Sequence, residues 1–120
     1  MPIGVYTYKW VTSNLLQTEK DMKSIAVILS GCGVFDGSEI HESVLTMLAL
    51  SQNNAEVHYF SPNDLQPTVI NHITGEEKSE KRNMMEESSR ISRGKISPLS
   101  EAKAENFDAV IIPGGFGAAK

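Results

Sequence analysis

The only cysteine of the chain, Cys32, lies in the segment S-G-C-G-V-F-D-G (30–37), which directly follows the apolar run S-I-A-V-I-L. A thiol between a strand and a helix N-terminus can have a lowered pKa and act as a nucleophile or as a redox-responsive group. Catalysis also needs a histidine or a carboxylate that the fold brings to the sulfur. The alternative interpretation of Cys32 is a small buried thiol in a tight turn.

The two glycine-rich turns do not fit nucleotide-binding motifs. Gly31 and Gly33 fit the first two glycines of G-x-G-x-x-G, but the next glycine is Gly37, one position late. A phosphate-binding loop requires glycine before its lysine and serine or threonine after it, whereas Lys120 follows Ala119. The spacing therefore excludes both kinds of nucleotide site.

Four residues with metal-binding side chains lie close together in the sequence, namely Asp36, Glu39, His41 and Glu42. On a helix, His41 points about 100° away from Glu42, so the four do not converge on one ion. Acidic residues in a first helical turn are already stabilised by the helix dipole. We predict a solvated helix start here and no metal site.

Three short β-rich runs must position these residues: 24–29, 56–60 and 109–112. The first and third are almost entirely apolar, as is typical of parallel strands covered by helices. Both glycine turns follow such a run, and ligands of open α/β sheets bind at the carboxyl ends of the strands. The pattern predicts an α/β fold with its site at those ends.

Two helices are predicted between the runs. The first spans 38–51, begins at Asp36 or Ser38 as its N-cap, and carries an apolar stripe. The stripe consists of Ile40, Val44, Met47 and Leu48. The polar residues 61–82 are predicted to leave the sheet, and the second helix follows over 83–93.

We predict that Gly94 ends the second helix, and that Glu86 and Arg90 form an i,i+4 ion pair on its surface. The first 23 residues differ in character from the rest. Aromatic side chains alternate along Ile3–Val11, as in an edge strand or a partner-binding arm.

Composition narrows the classes of function. The chain has 120 residues, 40% hydrophobic and 22% charged, with a net charge of -4, so we expect neither a nucleic-acid partner nor a membrane partner. Residues 1–23 lack the apolar core of a secretory signal and contain no arginine, unlike a transit peptide. With one cysteine and no internal disulfide, the expected location is the cytoplasm.

Four separated motifs resemble the ElbB-type proteins of the ThiJ/PfpI branch of the class I glutamine amidotransferase-like superfamily. They are S-G-C-G-V-F-D-G-S-E-I-H-E (30–42), V-I-N-H-I-T-G-E (69–76), R-N-M-M-E-E-S-S-R-I-S-R-G-K-I (82–96) and I-I-P-G-G-F-G-A-A-K (111–120). The resemblance covers residues 24–120 and leaves 1–23 as an extension. It implies a flavodoxin-like three-layer sandwich with a parallel sheet, present here as an incomplete N-terminal half.

The resemblance also implies a function, because the family is described as glyoxalase-like and associated with isoprenoid biosynthesis. A cysteine on a strand-to-helix elbow attacks a small aldehyde without any cofactor, and the enzyme is a homodimer. Glu42, or less favourably Glu39, corresponds to the glutamate that supports this cysteine. The backbone N–H of Gly115 corresponds to the oxyanion donor.

Helical periodicity alone makes Glu42 solvated, whereas the resemblance places it over the site. The expected substrate-binding residues are Gly31, Cys32, Gly33, Gly114 and Phe116. In the family the nucleophile lies beyond the region that this chain matches, so Cys32 does not take its role. The expected function is a glyoxalase-like enzyme part. The alternatives are a non-catalytic fragment, a small-molecule or redox-responsive binding module, and an amidotransferase-like role with a partner subunit.

Overall fold

A computed structural model describes residues 22–119 of the chain. Its first three strands alternate with two longer helices, as predicted for an α/β fold. In chain order they are β1 (Ser24–Ile28), α1 (Ile40–Gln52), β2 (Glu56–Ser61), α2 (Met84–Ser92), β3 (Ser97–Pro98), β4 (Ala109–Ile111) and α3 (Phe116–Ala119). Two 3₁₀ turns, Leu99–Glu101 and Ala104–Asn106, connect β3 to β4. The strand predicted at Ile3–Val11 lies outside the described residues.

The four strands form one parallel sheet in the order β3-β2-β1-β4. This confirms the predicted α/β class and parallel sheet. β1 is central and pairs with β2 on one side and with β4 on the other. The chain passes from β1 to β2 and β3 on one side and then crosses to the other side of β1 as β4, so the carboxyl ends of β1 and β4 border a crevice of the kind that binds ligands.

The core lies between the sheet and the two longer helices. Alternate residues of the β1 segment, Ile25, Val27 and Leu29, form one buried cluster with Met47 of α1 and Ile91 of α2. Since alternate residues of a strand point to one face, both helices pack on the same face of the sheet. The described residues thus contribute the sheet and one helical layer of the expected three-layer sandwich.

The buried face of α1 differs from the predicted apolar stripe. Of that stripe only Met47 is buried, while Ile40 and Val44 are 41% and 40% exposed. The helix packs through Met47 and the fully buried Ser43, whose hydroxyl donates to the carbonyl oxygen of Glu39. The small hydrogen-bonded serine allows close packing that a hydrophobicity pattern does not register.

The predicted cap of α1 was also wrong. The N-cap is Glu39, whose Oε2 accepts a hydrogen bond from the N–H of Glu42. Ser38 is fully buried, and its hydroxyl accepts from the N–H of Ser30 instead. The carboxylate of Asp36 accepts a hydrogen bond from the N–H of Ile70. Neither predicted cap therefore binds the backbone of the helix.

The second predicted helix is confirmed as α2, which begins after the N-cap Asn83 and ends before Arg93, a left-handed residue at φ 59° followed by Gly94. The predicted ion pair was wrong: Arg90 pairs with Glu87 at i,i+3, at 3.1 Å. Between β2 and α2 the chain leaves the sheet, as predicted, and makes only isolated antiparallel bridges. No helix of the described part of the chain is long and apolar enough to cross a membrane.

Candidate functional site

The turn after β1 and the turn after β4 are joined through their backbones. The N–H of Glu39 donates to the carbonyl oxygen of Gly114 at 2.6 Å, and the N–H of Phe116 donates to that of Val34 at 2.9 Å. We call residues 30–42 and 113–117 together the junction. It lies at the carboxyl ends of β1 and β4, where ligands of open α/β sheets bind.

Two glycines allow this close approach. A Cβ at Gly115 would overlap the carbonyl oxygen of Gly37, and a Cβ at Gly117 would overlap that of Ser30. Gly115 also has φ +119°, which side-chain-bearing residues rarely adopt. The glycines are therefore required by backbone packing, independently of any ligand.

Glu42 reaches the junction from the first turn of α1. Its Oε1 accepts a hydrogen bond from the N–H of Gly114 at 3.1 Å. A Cβ at Gly114 would lie 2.6 Å from the same oxygen, so a larger residue here would displace the carboxylate from its present position. The side chain thus turns toward the end of β4, the direction that the resemblance implied, although Glu42 is an exposed residue as periodicity suggested.

Glu39 has a different environment from Glu42. Hydrogen bonds from the backbone N–H groups of Glu42 and His41 lower the pKa of the Glu39 carboxyl. This N-cap carboxylate is committed to the helix start. Of the two candidate glutamates, Glu42 is therefore the one directed at the strand ends.

The N–H of Gly115 was expected to be an oxyanion donor. Within residues 22–119, no hydrogen-bond acceptor is found for it. Its role stays a prediction, as does that of Glu42.

Cys32 does not have the environment of a reactive thiol. The side chain packs against the core cluster. Burial, and then the nearby Glu87, raise the pKa of the thiol, against the lowering by Arg90. The shift is opposite to the lowering considered from the sequence. The reason is that the thiol is partly buried against the core, where desolvation disfavours the charged thiolate.

Gly31 and Gly33 shape the turn that holds Cys32. The N–H of Gly31 donates to the buried hydroxyl of Ser88 in α2 at 2.7 Å. A Cβ at Gly33 would lie 2.7 Å from Nε2 of His72 and 2.9 Å from Oδ1 of Asp36. The substrate-binding role expected for these two glycines stays a prediction.

Sequence reasoning missed how Asp36 and His72 attach the segment 62–83 to the junction. Asp36 is 6% exposed, and its Oδ2 accepts from the N–H of Ile70 at 2.8 Å. Nε2 of His72 accepts from the N–H of Phe35 at 3.2 Å. His72 had no evident partner in the sequence, because its contacts with Phe35 and Asp36 join residues far apart along the chain.

Among residues 22–119, two cavities of different character bear on the site. The larger, about 460 Å³, lies beside β2 and β3 and is lined by Tyr59, Ile96 and the end of α1. The smaller, about 270 Å³, is lined by Phe35, Ile70, Gly75 and Phe116. The smaller cavity is the relevant one, because Phe35 and Phe116 belong to the junction at the strand ends.

The predicted absence of a metal site rests on sequence spacing. Among residues 22–119, no group of three or more histidine, cysteine, aspartate or glutamate side chains is placed to hold a metal ion.

Comparison with known proteins identifies homologues over most of the chain. The rat "ES1 protein homolog, mitochondrial" is 54% identical over 97 residues, which are 80% of this chain and 36% of the rat protein. The human "Glutamine amidotransferase-like class 1 domain-containing protein 3, mitochondrial" is 48% identical over 106 residues, 88% of this chain and 40% of that protein. The zebrafish "ES1 protein, mitochondrial" is 46% identical over 102 residues, which are 81% of this chain and 38% of the zebrafish protein. A comparison with models of protein families gave no match.

A solved structure supports the same relationship. The isoprenoid biosynthesis protein with an amidotransferase-like domain from Ehrlichia chaffeensis superposes with a TM-score of 0.80 at 46% identity. The match covers 82% of this chain and 46% of that one. The chain thus spans less than half the length of each of these relatives, and its fold is that of the amidotransferase-like, flavodoxin-type proteins.

The predicted cytoplasmic location is contradicted by these relatives, since the rat, human and zebrafish proteins are all named mitochondrial. The prediction was wrong because a single free cysteine does not distinguish between compartments that keep thiols reduced. The lack of arginine in residues 1–23 was equally insufficient evidence.

Proposed function

Since the homologues of this chain are glutamine amidotransferase-like class 1 domain-containing proteins, including an ElbB-type isoprenoid biosynthesis protein, we propose that the junction forms part of an active site for small aldehydes of the glyoxal type. The observation that carries the proposal is the contact between Glu42 Oε1 and the N–H of Gly114, beside the left-handed Gly115. The contact sets a carboxylate and backbone N–H groups at the carboxyl ends of the strands. The names of the relatives lead us to propose a mitochondrial location.

The proposed reaction converts glyoxal and water into glycolic acid. A cysteine thiolate adds to one aldehyde carbon and forms a hemithioacetal, whose carbon-bound proton is then moved to the neighbouring carbon. The resulting thioester is hydrolysed by water, which releases the acid and restores the thiol. One carbon is oxidised and the other reduced, so no external redox cofactor is required.

Cys32 is not the proposed nucleophile, because its pKa is raised and its side chain packs on the core. Cys32 is the only cysteine of these 120 residues. We therefore propose that the nucleophile comes from polypeptide outside this sequence, in keeping with the greater length of the relatives. The homodimer expected from the resemblance is part of the same proposal.

In this mechanism Glu42 transfers the proton between the two carbons of the substrate. Its exposed carboxylate has an oxygen available beyond the one that accepts from Gly114. The backbone N–H of Gly115 stabilises the oxyanion of the hemithioacetal, a contribution worth about 3 to 4 kcal/mol for one donor in related chemistry.

The test is glycolate formation from glyoxal by a purified protein that includes the polypeptide supplying the nucleophile, compared with the same protein carrying Glu42→Gln. Glutamine keeps an oxygen that can accept from Gly114 but cannot take a proton, so we expect a loss of roughly 10² to 10⁴-fold in kcat/KM with an unchanged free energy of unfolding. Glu101→Gln, in an exposed 3₁₀ turn, is the matched control and should retain full activity. Glyoxal conversion at the wild-type rate by Glu42→Gln would overturn the role of Glu42.

A non-catalytic binding module is the second candidate, favoured by the apolar cavity at Phe35 and Phe116 and by the protected thiol. It predicts ligand binding without any glycolate formation in the wild-type protein. The raised pKa of Cys32 counts against the redox-responsive form of this alternative.

A further inference from the structure

We propose that the cavity lined by Phe35, Ile70, Gly75 and Phe116 binds a small uncharged apolar group of the ligand, and that His72 is the positioning residue that fixes its wall. The assignment of the ligand's polar end to Glu42 and Gly114 rests on the proposed function. The apolar cavity itself does not depend on that function.

The composition of the cavity determines what it can bind. No ionisable side chain lines it, and two phenyl rings do: Phe35 is 37% exposed and Phe116 is 55% exposed. Its volume of about 270 Å³ is slightly below the usual range of roughly 300 to 1,000 Å³ for ligand sites. The space therefore suits a short branched alkyl group or a single aromatic ring.

The cavity is rigidly connected to the junction. The N–H of Phe116 donates to the carbonyl oxygen of Val34 at 2.9 Å, next to Phe35. Gly115 precedes Phe116 directly, so an apolar group between the two rings holds the rest of its molecule near Gly114 and Gly115. Binding energy from this group would orient the reacting carbonyl.

His72 connects two walls of the cavity. Its Nδ1–H donates to the carbonyl oxygen of Ile70 at 3.0 Å, and its Nε2 accepts from the N–H of Phe35 at 3.2 Å. The imidazole also lies against the Phe35 ring, with centroids 4.8 Å apart. Asp36 Oδ1 lies 3.9 Å from Nε2 on the junction side. His72 therefore sets the distance between Phe35 and Ile70.

The first test is calorimetric titration of the purified protein with benzyl alcohol, an uncharged probe with a single aromatic ring. We expect Phe35→Ala and Phe116→Ala each to raise Kd about tenfold, because each removes an aromatic wall. Ile73→Ala is the matched control, since Ile73 is 95% exposed on the same segment and lies outside the cavity. Unchanged binding by both phenylalanine variants would overturn the proposal and assign the probe to another surface, such as the cavity of about 460 Å³.

The second test separates positioning by His72 from a general structural role. Glutamine can present an oxygen where Nε2 accepts from Phe35, whereas leucine cannot. We expect His72→Leu to weaken probe binding about fivefold or more and His72→Gln to restore most of it. Equal weakening in both variants, or none in His72→Leu, would overturn the role of His72.

Probe binding is measured without glyoxal, so the two proposals can fail separately. If the phenylalanine variants weaken probe binding while the wild-type protein forms no glycolate, the cavity stands and the proposed function falls. If glycolate is formed but probe binding is insensitive to both phenylalanines, the proposed function stands and the cavity falls. Urea unfolding of each variant shows that weakened binding does not come from loss of the fold.

Discussion

The junction and the segment 62–83 both carry glycines at positive φ, yet glycine is needed in the two regions for different physical reasons. At the junction, a Cβ on Gly115 would overlap the backbone of Gly37. In the outlying segment, Gly75 has φ +79° but a Cβ there would meet nothing within 4 Å. Glycine in the first region permits two backbones to touch, whereas in the second it only permits a turn.

The largest effect expected from this comparison is that of Gly115→Ala. Both the backbone conformation at φ +119° and the overlap with the Gly37 carbonyl oppose the new Cβ. Because strained backbone alone costs about 1 to 3 kcal/mol, we expect a loss of more than about 3 kcal/mol in the free energy of unfolding. Urea denaturation followed by circular dichroism measures it.

The matched control is Gly75→Ala, where conformational strain acts without any overlap. Its expected cost is about 1 to 2 kcal/mol, the usual penalty for a left-handed alanine. Similar costs for the two variants would mean that φ, and not contact between the backbones, determines where glycine is required. The distinction between the two regions would then be lost.

The second effect concerns the carboxylate of Asp36, which links the junction to the segment 62–83. Asp36 is buried, and its Oδ2 accepts from the N–H of Ile70. Asp36→Ala leaves that N–H without its acceptor, so we expect a loss of about 2 kcal/mol in the free energy of unfolding. Asp36→Asn keeps an oxygen at the same place and should lose less.

Hydrogen exchange sharpens the same prediction. In Asp36→Ala the amides of the bridge between Ile70 and Glu77 should exchange faster, while those of β1 change little. If β1 and the bridge lose protection together, the segment and the sheet form one cooperative unit. In that case the two regions are not separable.

The sheet was more predictable than the site. Short β-rich runs identified β1, β2 and β4, and the runs of β1 and β4 are almost entirely apolar, as is typical of parallel strands. The buried face of α1 was not predictable, since it depends on the hydrogen-bonded Ser43 and not on an apolar residue. Amphipathic periodicity records side-chain polarity only, and it is blind to a serine that satisfies its own hydroxyl within the helix.

The site was predictable only in part, because its contacts join distant positions. Glu42 and Gly114 are 72 residues apart, and Asp36 and Ile70 are 34 apart. Glycine spacing marked the turns, and resemblance marked Glu42, but neither indicates which backbone groups will touch. The sequence around His72 did not indicate its role, because its contacts with Phe35 and Asp36 exist only when the segment 62–83 is folded onto the junction.

The smallest effect expected concerns the reactivity of Cys32, which lies in the junction but faces the core cluster. Burial and the nearby Glu87 raise the pKa of its thiol, so the thiolate fraction at neutral pH is below that of an ordinary cysteine. We expect modification by a disulfide reagent to be slower than for an unfolded control in urea. Because the pKa is raised, the rate should continue to increase with pH beyond the midpoint of a free thiol. A faster rate in the native protein, with a midpoint shifted to lower pH, would instead make the turn after β1 a reactive site, and the glycines of the junction would then serve the thiol as well as the packing of the two turns.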